Sequence, residues 1–151
     1  MTSALIVCNA SPLIALKQIG RLDVLEQLFD SLLIPPAVAY EISPTVPTLP
    51  AWITQQALTQ AIGPQILAAS LGRGESETIS LALEVNAKLI VLDDRPARRL
   101  AQALRLPVIG TLGILLAARQ QNLTPALRPC VDALLQHDFR IAPGPLRTSF
   151  I

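Results

Sequence analysis

The chain has 151 residues, enough for one domain with a real core, and its 51% hydrophobic and 15% charged content excludes a disordered polymer. A net charge of +1 excludes an overall basic field for nucleic acid, so such binding must come from a local cluster. Aromatic residues at 3% speak against base-stacking platforms, and two cysteines with one histidine are too few for a disulfide framework or a zinc site.

The first half reads as short alternating elements. Ala4 to Cys8 is an apolar run expected to form a central strand, with Cys8 as a buried core thiol. Ser11-Pro12 reads as a helix cap followed by proline at the first helical position, and Gly20 ends that helix. Residues 21 to 29 carry helical spacing, with Leu22, Leu25 and Leu28 on one face. Ser31 to Ile34 is the next strand, stopped by Pro35-Pro36. Ala37 to Ile42 is a short helix carrying Glu41. The three prolines within residues 43 to 50 demand a loop, and residues 53 to 57 read as a short edge strand.

The second half is clearer. Residues 66 to 71 read as a helix, and Gly72-Arg73-Gly74 as a turn. Glu75 to Asn86 is a strong helix with acidic residues in its first turn. Lys88 to Leu92 is a buried strand ending in Asp93-Asp94. A helix follows over 95 to 104, a strand over 107 to 109, a helix from Gly110-Thr111 to about Gln121, and a last helix over 124 to 136. His137 reads as a surface residue at that helix end. The domain is expected over 1 to 143, with 144 to 151 as a loosely held tail.

The amino terminus lacks the basic start of a signal peptide. The uncharged stretch from Leu106 to Ala118 is shorter than the ~18 to 20 residues that span a bilayer. A soluble cytoplasmic protein with no membrane partner is the expectation.

Strands alternating with helices predict a mainly parallel sheet covered on both faces. Ligands in such folds bind at the carboxyl ends of the strands. That rule selects Asn9-Ala10-Ser11 and Asp93-Asp94. Asp93 and Asp94 carry two readings. One is an ordinary helix cap before Pro96. The other is a cation site, because adjacent carboxylates repel and hard divalent ions prefer carboxylate oxygens. Glu75 and Glu77 stand two apart on a helix, so at most one faces a given cleft. Glu77 is expected there, beside the packing face, with Glu75 as a solvated cap. Glu41 lies on an apolar helix braced by prolines, where position alone gives it little weight. Arg98 and Arg99 are candidates for a substrate phosphate, or for a solvated face paired with Glu84, Asp93 or Asp94. No phosphate-binding loop and no nucleophile elbow is present.

Residues 9 to 16 (Asn-Ala-Ser-Pro-Leu-Ile-Ala-Leu) with Gly20-Arg21-Leu22, Ile34 to Val38 with Glu41, Leu71 to Glu77, Leu92 to Arg95, and Gly110 to Gly113 together resemble the PIN-domain superfamily, in particular its VapC-like bacterial subgroup. The resemblance implies a three-layer α/β/α sandwich and a metal-dependent ribonuclease site using Mg²⁺ or Mn²⁺. It places the family's acidic positions on Asn9, Glu41, Glu77 and Asp94, with Asp93 as neighbour. Ser11 matches the small hydroxyl residue that follows the first acid. It further implies an RNA substrate, single-stranded or structured, a homodimer, and a small antitoxin as protein partner. Asn9 departs from the pattern: its carbonyl accepts a metal bond but brings no charge, which lowers metal affinity.

Two functions follow. One is a metal-dependent endoribonuclease, the toxin half of a toxin–antitoxin pair. The other is a catalytically weak or inactive PIN-like module that binds nucleic acid or protein. A phospho-accepting signalling domain ranks behind both, because the acidic pair of such domains follows the first strand, where this chain has Asn9.

Overall fold

The computed structural model describes residues 4–60, 63, 67, 70–124 and 126–137. The described residues form strands β1 (Ile6–Cys8), β2 (Leu32–Ile34), β3 (Ile53–Gln55), β4 (Leu89–Val91) and β5 (Val108–Ile109). The helices are α1 (Ala10–Gln18), α2 (Asp23–Phe29), α3 (Pro36–Ile42), α4 (Arg73–Glu84), α5 (Arg95–Ala103), α6 (Thr111–Gln120) and α7 (Leu127–Gln136). The sheet order is β3-β2-β1-β4-β5, and every neighbouring pair is parallel. β3 is therefore an edge strand, as its sequence predicts.

Side-chain alternation along three-residue strands builds two cores. Ile6, Cys8, Leu32, Ile34 and Val91 face one side, where Leu13, Leu16, Leu25, Ile114, Leu115 and Leu134 cover them. Val7, Ile90 and Leu92 face the other, covered by Ile79, Leu81, Ala82, Ala97 and Ala101 of α4 and α5. This is the expected three-layer α/β/α sandwich. Its central strands β1, β2 and β4 are largely buried on both faces, which explains why they read as continuous apolar runs. Cys8 is a buried free thiol whose pKa is pushed well up by burial, with the negative charge of Asp93 adding to it.

Several boundaries differ from the sequence reading. α1 starts at Ala10 with Asn9 at its cap position, so Ser11 is an exposed first-turn residue rather than the cap. The backbone at Asn9 is already extended (φ −83°, ψ 171°), and Pro12 is tolerated because first-turn N–H groups have no helical partner. Arg73 and Gly74 are the first residues of α4 rather than a turn, with Gly72 at the cap position. Gly20, with φ +72°, makes the left-handed stop after α1. Half of the expected helix over 66 to 71, and the whole of the tail over 144 to 151, fall outside the described residues. No helix among the described residues is long and apolar enough to cross a membrane.

Glu84, in the last turn of α4, accepts hydrogen bonds from the backbone N–H groups of Thr59 and Gln60, each at 3.0 Å. These bonds favour the ionised form and hold its pKa below the usual 4.5. A depressed carboxyl pKa contributes stability above the unfolded value, and that contribution is lost as pH falls through the folded value. Thermal unfolding of Glu84→Gln should therefore show a lower Tm than the natural chain at pH 7. The gap should close as pH drops below 4.5.

Candidate active site

β1 sits centrally; the chain runs outward from it to β2 and β3, then returns to β4 on its other side. The sheet order reverses between β1 and β4, and the crevice at their carboxyl ends is where this topology places ligands. Asn9 leaves β1 there, tied to β4 by a 2.9 Å bond from its N–H to the Val91 carbonyl. Asp93 and Asp94 leave β4 two and three residues beyond Val91.

Asn9 is 2% exposed. Its Oδ1 lies 3.2 Å from the Thr78 hydroxyl, which also donates to the Gly74 carbonyl at 2.7 Å. A hydroxyl has one proton, and the shorter bond takes the larger share of it. The Asn9 oxygen thus keeps acceptor capacity.

Glu41 reaches the same place from α3. Gly74 lets it in: a β-carbon on Gly74 would collide with Glu41 Oε1 and would stand 3.5 Å from Asn9 Oδ1. The two oxygens therefore converge on one glycine of α4. Glu41 as a residue is exposed, but its carboxyl group is partly desolvated against this backbone. That desolvation, and then the negative charge of nearby Glu75, raises its pKa above 4.5.

The other expected acids do different work. Glu77 is 8% exposed, and its Oε1 accepts the Ala37 N–H at 2.9 Å, capping α3 from α4. Its Oε2 accepts from Arg73 Nε at 3.3 Å. Asp93 accepts the Thr111 N–H at 2.7 Å and the Thr111 hydroxyl at 2.6 Å, holding the start of α6. Asp94 caps its own helix α5, accepting from Ala97 N at 3.0 Å. The capping reading of the acidic pair is thus realised, and the two carboxylates are separated onto two helices. Alternation contributes: Asn9 bonds to α4 on one face of the sheet and Asp93 to α6 on the other.

Glu77 is the carboxylate expected in the crevice and Glu75 the solvated cap, and the two side chains are engaged differently from that expectation. Glu75 is half-buried and lies close enough to raise the Glu41 pKa, whereas both Glu77 oxygens are engaged. The sequence signal that could have found this is Pro36-Ala37: a helix start lacking its own side-chain cap, whose free N–H draws in a carboxylate. Arg98 also departs from its expected outward role. Its Nη1 donates to the Leu92 carbonyl at 3.2 Å, bracing the end of β4. Arg99 is exposed, and among the described residues Arg73–Glu77 is the ion pair formed. Ser11 is exposed one residue beyond Ala10.

Among the described residues, no three His, Cys, Asp or Glu side chains gather into a metal-holding group. The donors that meet at Gly74 are fewer: the Glu41 carboxylate and the Asn9 carbonyl, with the Glu75 carboxylate packed against nearby Gly72 and close enough to act on Glu41 by its charge. That set does not fit a closed protein cage. It does fit Mg²⁺, which keeps several waters and takes one or two carboxylates.

Two outcomes follow from this geometry. Gly74→Ala displaces the end of a flexible Glu41 side chain and adds a better helix former. Folding stability should hold or rise by up to about 1 kcal/mol, while Mn²⁺ affinity by calorimetry falls. Glu41 tests the pH sign. A raised carboxyl pKa means that ionisation opposes folding, and the penalty disappears as pH falls to the unfolded value. In EDTA, Glu41→Gln should melt higher than the natural chain at pH 7, and the difference should vanish below pH 4.5.

Residues 5–149 match a family model described as a PIN domain. Among solved structures, the chain is similar to a PilT N-terminus domain protein from the hyperthermophilic archaeon Sulfolobus solfataricus P2. The TM-score is 0.53 at 18% identity, over 76% of this chain and 92% of that one. At that identity the likeness shows the fold. A comparison with curated proteins returns no match. With the family match running through the crevice, its acids and the whole described sheet, the chain belongs to the PIN-domain family.

Proposed function

We propose that this protein is a divalent-metal-dependent endoribonuclease whose metal is held by Glu41, Glu75 and the Asn9 carbonyl, with water completing the shell. PIN domains are typically nucleases and generally use divalent metals, so nuclease chemistry is the coarse reading. The observation that carries the finer one is the convergence of Glu41 and Asn9 on Gly74, with a second carboxylate close enough to repel Glu41. Like charges held together in this way favour a cation between them.

A bound Mg²⁺ or Mn²⁺ supplies a water of lowered pKa and positive charge against the phosphoryl oxygens. The chain's residues supply the rest. Glu41 and Glu75 bring the negative charge, and the neutral Asn9 sets the affinity low. Glu77 fixes the start of α3, and so the approach of Glu41. Asp93 and Arg98 hold the carboxyl end of β4 in place. Asp94, whose capping role engages one carboxylate oxygen, keeps the other for water or a distant cation. Arg99 and Ser11, both exposed, are available to substrate phosphate or ribose.

The VapC-like resemblance extends the proposal: a cytoplasmic toxin, working as a homodimer and neutralised by a small antitoxin. A second reading, a binding module with little catalysis, is favoured by one observation. The family's first acidic position is a neutral, buried amide already in contact with Thr78.

Cleavage of a mixed single-stranded RNA by the pure protein separates the readings. Mg²⁺- or Mn²⁺-dependent cleavage reduced about 100-fold or more in Glu41→Gln supports the nuclease. Asn9→Asp should raise cleavage and metal affinity, while lowering Tm in EDTA, because it buries an extra charge beside Glu41. Cleavage that survives EDTA or Glu41→Gln would refute the metal assignment. RNA binding without cleavage by either the natural chain or Asn9→Asp would establish the binding module.

A further inference from the structure

Asn9 stands at the cap position of α1 yet makes no side-chain cap bond. The usual partners of a capping side chain are the N–H groups two and three residues on. Pro12 holds the third helical position and has no N–H. The Asn9 side chain turns instead to α4, where the Thr78 hydroxyl lies 3.2 Å from Oδ1. The residue is buried, and its own N–H is fixed to the Val91 carbonyl at 2.9 Å. A half-turn of the amide exchanges its oxygen for its NH2 group and leaves its shape unchanged. Among the described residues no acceptor engages Nδ2, so none of them opposes that turn.

Thr78, fully buried, decides which end of the amide is favoured. A helical threonine can bond back to the carbonyl four residues before it, and Thr78 does so to Gly74 at 2.7 Å. That bond takes the only proton of the hydroxyl. What Thr78 presents to Asn9 is therefore a lone pair. A lone pair repels an amide oxygen and accepts a hydrogen bond from an amide NH2. The Glu41 carboxylate, which converges with Asn9 on Gly74, is a second acceptor with the same preference. With the oxygen inward, acceptor faces acceptor. A cation relieves that repulsion, and so does a half-turn of the amide.

We infer that Thr78 is a positioning residue for the metal site: its hydroxyl draws the Asn9 nitrogen inward in the metal-free protein, and metal binding turns the oxygen inward. The NH2 group stands in for the cation when no cation is bound. Metal binds only the oxygen-inward form, so its apparent affinity is reduced by the fraction of protein in that form. The inference rests on the metal assignment to Glu41 and Asn9. It adds a residue that tunes metal affinity without touching the metal. A carboxylate at position 9 has two equivalent oxygens and would escape this control.

Calorimetry with Mn²⁺ on the full chain, paired with NMR of the side-chain amides, tests this. Thr78→Val removes the lone pair at nearly constant shape and should tighten Mn²⁺ binding about fivefold, the worth of one neutral hydrogen bond. Thr78→Ser should bind like the natural chain. In an Asn9→Asp background, Thr78→Val should give no tightening. The chain has three asparagines, so the Asn9 NH2 signals are identified by their loss in Asn9→Asp. In EDTA they should show a nuclear Overhauser effect to the Thr78 methyl group, and Mg²⁺ should abolish it. That readout uses the natural chain and decides the case if Thr78→Val does not fold. Weaker Mn²⁺ binding by Thr78→Val means that the hydroxyl donates to the oxygen, and overturns the inference. Equal binding, or an Overhauser effect that Mg²⁺ leaves unchanged, overturns it and leaves the metal assignment standing. No Mn²⁺ binding by the natural chain or by Asn9→Asp overturns both.

Discussion

Every crossover helix of a parallel sheet begins at the carboxyl edge of its strand, and each brings N–H groups that lack helical partners. At three of the helices in this protein such a group is met by a carboxylate. Glu77 serves α3, Asp94 serves α5 and Asp93 serves α6. Two of these three bonds join parts of the chain remote in sequence, so the acids act as cross-ties between layers. The same edge is where a ligand must bind. Fold and site therefore compete for the same side chains, and most of the acids go to the fold.

What remains is a small, unbalanced donor set. Glu41 and Glu75 repel each other across the first turn of α4, and Asn9 contributes an oxygen without charge. Gly74 makes the set possible, because any β-carbon there would occupy the place of the Glu41 carboxylate. An acid at position 9 would bury a second negative charge beside Glu41, at a cost of several kcal/mol unless a cation were present. On the proposed nuclease reading, Asn9 relieves that strain at the expense of metal affinity, so the residue that would weaken catalysis is also one that steadies the metal-free protein.

The sheet was readable from sequence because buried parallel strands are short apolar runs bounded by turn residues, as at Ala4 to Cys8 and Lys88 to Leu92. Helix faces were readable from the spacing of leucines such as Leu22 and Leu25. The choice between Glu75 and Glu77 was not, because it depends on α3 lying alongside α4 and offering Ala37 N, a tertiary fact. The capping alternative for Asp94 was visible, since Pro96 announces a helix start. That Asp93 would reach Thr111, 18 positions away, was not.

The proposed division of labour gives Glu41, Glu75 and Asn9 to metal, and Glu77, Asp93 and Asp94 to helix starts. Anomalous diffraction from crystals soaked in Mn²⁺ tests it most directly. A peak within ligand distance of Glu41 and Asn9, with Asp93 still bonded to Thr111, is the predicted result. A peak held by Asp93 or Glu77, with the bond to Thr111 or Ala37 broken, would contradict it.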